Sequence, residues 1–184
     1  MTRVLWLIPA VLLFSIAARA QEAPAAWEFS GGYSYLDADL KGSHFHLNGG
    51  GGSVTENVNS WFGGRTEFNA YQGNEAITTS GVTTVYSVNA QQITYGPIFS
   101  YRRFSRITPF GNVQLGVMHG SVHYLGISQS AFKFAVAPGA GVDIALNPRT
   151  AIRLNGEYLL TRFLSLTQQN VTASVGIVIR FGHR

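Results

Sequence analysis

His119-Gly120-Ser121 sets an imidazole and a hydroxyl two residues apart. On an extended strand that spacing puts both side chains on one face. A base can then activate a serine nucleophile, provided a carboxylate orients the imidazole. The neighbourhood lacks that carboxylate: the next stretch offers Lys133 and no acid until Asp143, about one strand length away. The plainer reading is a rim histidine and a loop serine, with no catalytic site. His44 and His46 repeat the i, i+2 spacing and would hold a transition metal only weakly. With no third ligand nearby, a solvated loop and no metal are expected. The glycine run 49–52 is no phosphate loop, because neither Lys-Ser/Thr nor a helix follows it. It is better suited to curvature or close strand approach. Cysteine is absent, which removes disulfides and Cys-ligated metal centres, and no pattern calls for a cofactor.

A more informative polar set is scattered singly through the chain: Glu28, Arg65, Glu67, Arg102, Lys133, Asp143, Arg153, Glu157 and Arg180. Each sits among Gly, Ser, Thr and Ala on one face of an alternating segment, with apolar residues on the other. Four acids against five bases nearly neutralise one another, as charges enclosed in a narrow interior must. They could line a conductance path or form a salt-bridged plug. An eight-stranded barrel is only about wide enough for side chains to fill, so the plug is expected, with Arg65, Glu67, Arg102, Arg153, Glu157 and Arg180 at its heart. A diffusion pore of about 16 strands needs a longer chain.

The elements that would position these charges are strands. Period-2 alternation recurs while helical periodicity is poor. The clearest segment puts Val171, Ala173, Val175, Ile177, Ile179 and Phe181 opposite Thr172, Ser174, Gly176 and Arg180. Similar alternation surrounds Trp27 to Tyr35, Phe62 to Asn69, Ile93 to Arg102, Asn112 to Val117, Phe132 to Ile144 and Ile152 to Leu160; Leu47 to Val58 is the weakest segment. Links after the first, third, fifth and seventh segments (39–46, 73–84, 121–130, 161–169) read as long polar or flexible loops. Those after the second, fourth and sixth (59–60, 103–106, 147–149) are short. Long–short alternation is the mark of an up-and-down transmembrane barrel, with short turns inside and longer loops outside.

The N-terminus supplies an export route. Arg3 precedes a nearly unbroken apolar run from Val4 to Phe14, and Ala18-Arg19-Ala20 before Gln21 has the form of a signal-peptidase site. Residues 1–20 are thus expected to be a cleaved signal peptide and 21–184 the barrel domain. Cleavage would remove Arg3 and Arg19 and no acid, leaving 11 basic and 9 acidic side chains, a net +2. Nucleic-acid binding then loses its electrostatic support. The chain is 46% hydrophobic and only 12% charged, with 21 Gly, about half the charge of a soluble domain. That deficit suits an outer face turned to lipid.

A soluble lipocalin-like barrel binding a small apolar ligand would share the strand count but reverse the faces, with Phe132 and Phe134 inside. The sparse, small-residue polar face favours the membrane arrangement. The aromatics Trp27, Tyr33, Tyr35, Trp61, Phe62, Tyr71, Tyr95, Tyr101, Phe104, Tyr124, Tyr158, Phe163 and Phe181 fall mostly near segment ends, where interfacial girdles belong.

The signal segment, the eight alternating segments and the terminal Val171-to-Phe181 segment together resemble the small OmpA-like outer-membrane β-barrel family of Gram-negative bacteria. The Leu47-to-Arg65 stretch and Ala137-Pro138-Gly139-Ala140-Gly141-Val142-Asp143 look like hairpin and sixth-strand signatures of that family. The resemblance implies an all-β, eight-stranded antiparallel barrel in the outer membrane, inserted by the barrel-assembly machinery, in contact with outer-membrane lipid and lipopolysaccharide, and using its loops on an unidentified ligand. His119 and Ser121 are also similar to the pair of the lipid A deacylases, the enzymatic alternative, from which this chain departs by lacking the acid.

Overall fold

Alternating faces make each segment a strand, and eight such strands close on themselves. The computed structural model describes residues 24–40, 43–79, 82–124, 127–163 and 166–182; the expected signal segment lies outside them. The strands are β1 (Trp27–Leu40), β2 (Ser43–Asn57), β3 (Phe62–Thr79), β4 (Val82–Ser100), β5 (Ile107–Tyr124), β6 (Ile127–Asn147), β7 (Thr150–Phe163) and β8 (Leu166–Phe181). Each pairs antiparallel with its sequence neighbour, and β8 returns to β1 through Trp27↔Phe181, Phe29↔Ile179 and Tyr33↔Val175. Closure leaves no free sheet edge around the wall.

The expected long loops are corrected by the pairing. The β1–β2 ladder runs on to Leu40↔Ser43, β3–β4 to Thr79↔Val82, β5–β6 to Tyr124↔Ile127 and β7–β8 to Phe163↔Leu166. What read as polar loop is mostly strand. β6 reaches 21 residues, about twice the 9–11 that cross a bilayer. The barrel therefore stands well beyond any membrane at its hairpin end.

The weak second segment is a full strand, and its glycines have a steric reason. A Cβ on Gly49 would lie 2.9 Å from the Tyr71 Cα, and one on Gly51 would strike the Asn69 side chain. β2 and β3 press together too closely on the inner side for any side chain at these positions.

The two faces change character along the barrel height. On β5 the outward residues Ile107, Val113, Leu115 and Val117 are exposed, and His119, Ser121 and His123 follow them. On β4, exposed Phe99, Tyr95 and Ile93 give way to Gln91 and Asn89. Residues 107–117 of a tilted strand span roughly 25–28 Å along the barrel axis, the height of a transmembrane apolar band. Below this boundary the interior is mainly polar: Thr55, Asn69, Gln92, Thr94, Asn112, Gln114 and Thr172 are all buried, alongside the apolar Ile98, Phe110 and Val178. Above it the interior is an apolar cluster of Leu36, Ala38, Phe45, Leu47, Tyr71, Val88, Ala90, Met118, Ala135, Ala137 and Leu159. One half is built for lipid outside, the other for water outside.

One expectation fails here and one alternative is removed. Tyr71 is not in a girdle: it is buried inside, its hydroxyl 3.0 Å from Ser34 Oγ. Phe132 and Phe134 are 73% and 55% exposed on the outer wall, which removes the lipocalin-like arrangement with those rings inside.

Candidate functional site

The strand phase that turns Phe29 and Val54 outward turns Glu28 and Thr55 inward, and the same rule on the other strands converges charges in the lumen. At the short-turn end Glu28 is 1% exposed. It accepts hydrogen bonds from Arg102 Nη2 at 3.0 Å and Arg153 Nη2 at 2.8 Å, with Arg180 Nε at 3.7 Å. Arg153 also grips Asp143 in a bidentate pair, Nε to Oδ1 at 2.7 Å and Nη2 to Oδ2 at 2.8 Å, and Arg180 Nη2 reaches Asp143 at 3.5 Å. Asn57 donates to Glu28 at 3.2 Å and to the Ala25 carbonyl at 2.8 Å, while accepting from Arg102 at 3.0 Å. One cluster thus ties β1, β2, β6, β7, β8 and the turn after β4 to the chain just before β1.

Phe110 closes this layer from above. Its buried ring lies 4.9 Å from the Arg153 Cζ and 5.7 Å from the Arg65 Cζ, so two guanidinium groups share one aromatic face set. In the next layer Arg65 pairs with Glu67, whose other oxygen accepts from Asn69 at 2.8 Å. Glu157 is held by Asn112 and Asn155 at 3.0 and 3.1 Å. Thr94 donates to Gln114 at 2.6 Å. The short-turn cluster carries three arginines and two acids, the middle layer one arginine and two acids. Their charges cancel across the Phe110 ring.

A cavity of about 30 Å³ lies in the middle layer, between the small-residue wall of Ser30, Gly32, Ser34, Gly51 and Gly176 and the side chains of Arg65, Glu67, Asn69 and Arg153. Its volume and polar lining suit about two water molecules. Among the described residues, no group of three or more His, Cys, Asp and Glu is placed to hold a metal ion.

Of the nine charges singled out from the sequence, eight lie in these two layers. Lys133 is set apart: it faces Met118 in register, ten residues up β6 from Asp143, beside the apolar cluster. Without it, four arginines balance four acids. Asn57, Phe110 and the outer apolar cluster were not singled out, although Asn57 shares the strand phase of buried Ser53 and Thr55 and Phe110 that of buried Asn112 and Gln114.

His119 and Ser121 share the outer wall above the apolar band. The His119 ring packs 4.5 Å from that of Phe132. Its cross-strand partners are Gln91 and Phe132, and those of Ser121 are Asn89 and Ser130; none is a carboxylate. The His44 side chain lies outside the described residues. His46 Nδ1 lies 2.6 Å from Tyr35 Oη and 3.8 Å from Asp37.

The closed eight-strand barrel has an outward apolar band and an ion-paired interior, and residues 7–180 match the model of the outer membrane protein beta-barrel domain. The chain belongs to that family. Solved structures agree in fold. Ail, the attachment invasion locus protein of Yersinia pestis, solved in complex with the heparin analogue sucrose octasulfate, is 21% identical with a TM-score of 0.64, over 86% of this chain and 99% of that one. Neisserial surface protein A is 13% identical at a TM-score of 0.70, over 85% and 98%. OprG of Pseudomonas aeruginosa is 11% identical at 0.58, over 88% and 98%. No curated protein matches the chain. As an outer-membrane barrel, the molecule faces the periplasm with its short turns and the exterior with its extended hairpins. Glu28 and Arg102 are therefore periplasmic, and the apolar cluster lies at the extracellular side.

Proposed function

We propose that this outer-membrane barrel is a sealed, non-enzymatic surface-interaction protein whose extracellular half is the working part. The observation that carries this reading is the reversal of polarity along the barrel. The lumen is filled by an ion cluster, a polar layer and then an apolar core around Leu36, Leu47 and Leu159, so nothing about it favours a solute path. The same core, apolar apart from the buried Thr161–Asn170 pair, lets the outer half stand as a stiff platform, because removing apolar side chains from water is the stable arrangement there.

The β3–β4 hairpin rises furthest from its neighbours. β2 pairs with β3 only as far as Asn48↔Gln72 and β5 with β4 only to Ser87↔His123, whereas β3 and β4 pair on to Thr79↔Val82. This extended ribbon supports the reading of a macromolecular contact surface above the membrane. Ail binds a heparin analogue. Among the residues whose side chains are described, the extracellular half carries Asp37 and Lys133, and that balance gives a polyanion no electrostatic preference. A partner read by shape and hydrogen bonding is the better fit.

Replacing residues 75–84 with an Asn-Gly turn tests the proposal in a non-adherent host strain expressing the barrel. The expected result is an intact heat-shifted band on gels, unchanged planar-bilayer behaviour, and loss of adherence to the surfaces that the full chain binds. Unchanged adherence, or stepwise conductance by the full chain, would overturn it.

A further inference from the structure

Three exposed arginines stand at the periplasmic rim, outside the lumen network. Arg103 and Arg106 lie in the β4–β5 turn and Arg149 in the β6–β7 turn. The turns are pinned to the adjoining strands: Ala145 donates its backbone N–H to the Arg106 carbonyl at 2.8 Å, and Arg180 donates to the Arg149 carbonyl at 2.8 Å. The three side chains therefore occupy one arc of rim running from β4 to β8. The Arg103 Cζ lies 5.8 Å over the Tyr101 ring, and Tyr101 meets Phe104 edge-on at 5.7 Å. Phe104, Ile107 and Leu146 are exposed beside them.

This combination fixes the depth of the cluster. Ile107, Ile144, Ile152 and Ile177 form one register row low on the outward wall, with Leu146, Ile179 and Phe181 exposed below it, and such a row sits in hydrocarbon. The aromatics follow at the interface, and the arginines stand immediately beyond, at the level of lipid phosphates. No competing carboxylate is exposed on this arc among the described residues. Glu28 and Asp143 are buried in the lumen and bound by Arg102, Arg153 and Arg180, and Glu56 lies on β2, beyond β3 from β4. A guanidinium matches a phosphate with two parallel hydrogen bonds, and a hydrophobic rim holds the acyl chains below it.

We propose that Arg103, Arg106 and Arg149, with Tyr101 and Phe104, bind the phosphate groups of anionic phospholipids in the inner leaflet of the outer membrane, holding a lipid arc that sets the depth of the barrel. Each arginine near an anionic membrane surface contributes about five-fold in partitioning.

The test uses the full refolded barrel in bilayer discs made from equal parts phosphatidylglycerol and phosphatidylcholine, released into native mass spectrometry to count retained lipids. The wild type should retain phosphatidylglycerol over phosphatidylcholine by at least about five-fold. The preference should fall at about 0.5 M NaCl, where the Debye length is about 4 Å. R103Q/R106Q/R149Q should abolish it while keeping the heat-shifted band, and R103K/R106K/R149K should retain part of it. Should the triple variant fail to insert, the three single Gln variants should each weaken the preference. Equal retention of the two lipids by the wild type, or a preference that survives the Gln substitutions, overturns the proposal. So does arginine-dependent sedimentation with peptidoglycan sacculi in the absence of a phosphatidylglycerol preference, which would assign the rim to the cell wall.

Discussion

Glu28→Gln removes the carboxylate on which the periplasmic cluster turns. Glu28 is 1% exposed and faces three arginines, with its nearest contacts at 2.8 and 3.0 Å. The substitution keeps the shape and deletes the charge, leaving Asp143 as the one acid opposite Arg102, Arg153 and Arg180 in that layer. Breaking a buried pair from one side costs about 3–5 kcal/mol. Arg153 keeps its bidentate Asp143 and Arg102 keeps Asn57, so the lower end, about 3 kcal/mol, is expected. The assay is reversible urea unfolding from lipid vesicles, followed by tryptophan fluorescence and by the gel shift, with the midpoint moving and the slope unchanged. Combining Glu28→Gln with Arg102→Gln should cost less than the sum of the two, because the second change removes a charge that the first left uncompensated. A loss below about 0.5 kcal/mol, the range of an ordinary surface substitution, would refute the reasoning by showing that water reaches this end of the lumen.

The remaining predictions concern other layers. Leu159→Ala, at a position with 0% exposure in the outer core, should destabilise by about 2–5 kcal/mol, whereas Leu154→Ala on the lipid-facing wall should cost markedly less in the same unfolding assay, since lipid refills the space. Gly116→Val should lower the yield of folded, heat-shifted barrel, because a Cβ there would lie 2.7 Å from the Thr94 Cα; Gly120→Ala on the same strand, with nothing within 4 Å, should fold as the wild type does. Ser121→Ala and the wild type, overexpressed in parallel, should leave the lipid A mass spectrum identical.

What the sequence made legible follows from the single lipid-facing side of each strand. In the membrane half, outward residues such as Val113, Leu115 and Val117 alternate with small or polar inward ones, so the period and the inward charges could both be read. The hairpin half was misread as loop because the apolar phase slips there. Tyr33 and Tyr35 face outward, yet Leu36 and Ala38 face inward. The same slip separates Val117 from Met118 and Tyr158 from Leu159. A one-residue slip exchanges the two faces of a strand; along one continuous strand it looks like an ending when it marks the passage from lipid to water. Lys133 was grouped with the lumen charges by phase alone, which gives the face but not the height. Phe110 escaped because β5 carries no inward charge, and an aromatic in phase with Asn112 and Gln114 looks like a break in the pattern, although it is the ring that separates the two charged layers.

The most direct test of that passage uses the absence of cysteine from the chain. Single cysteines at Val113, Leu115, Val117, His119, Ser121, His123, Met118 and Val122 on β5, spin-labelled in bilayers, report collisions with oxygen from the lipid side and with a nickel chelate from water. The account predicts oxygen access at 113, 115 and 117, chelate access at 119, 121 and 123, and protection from both at 118 and 122. Oxygen-dominated labels at 121 and 123, or chelate access at 118, would contradict it.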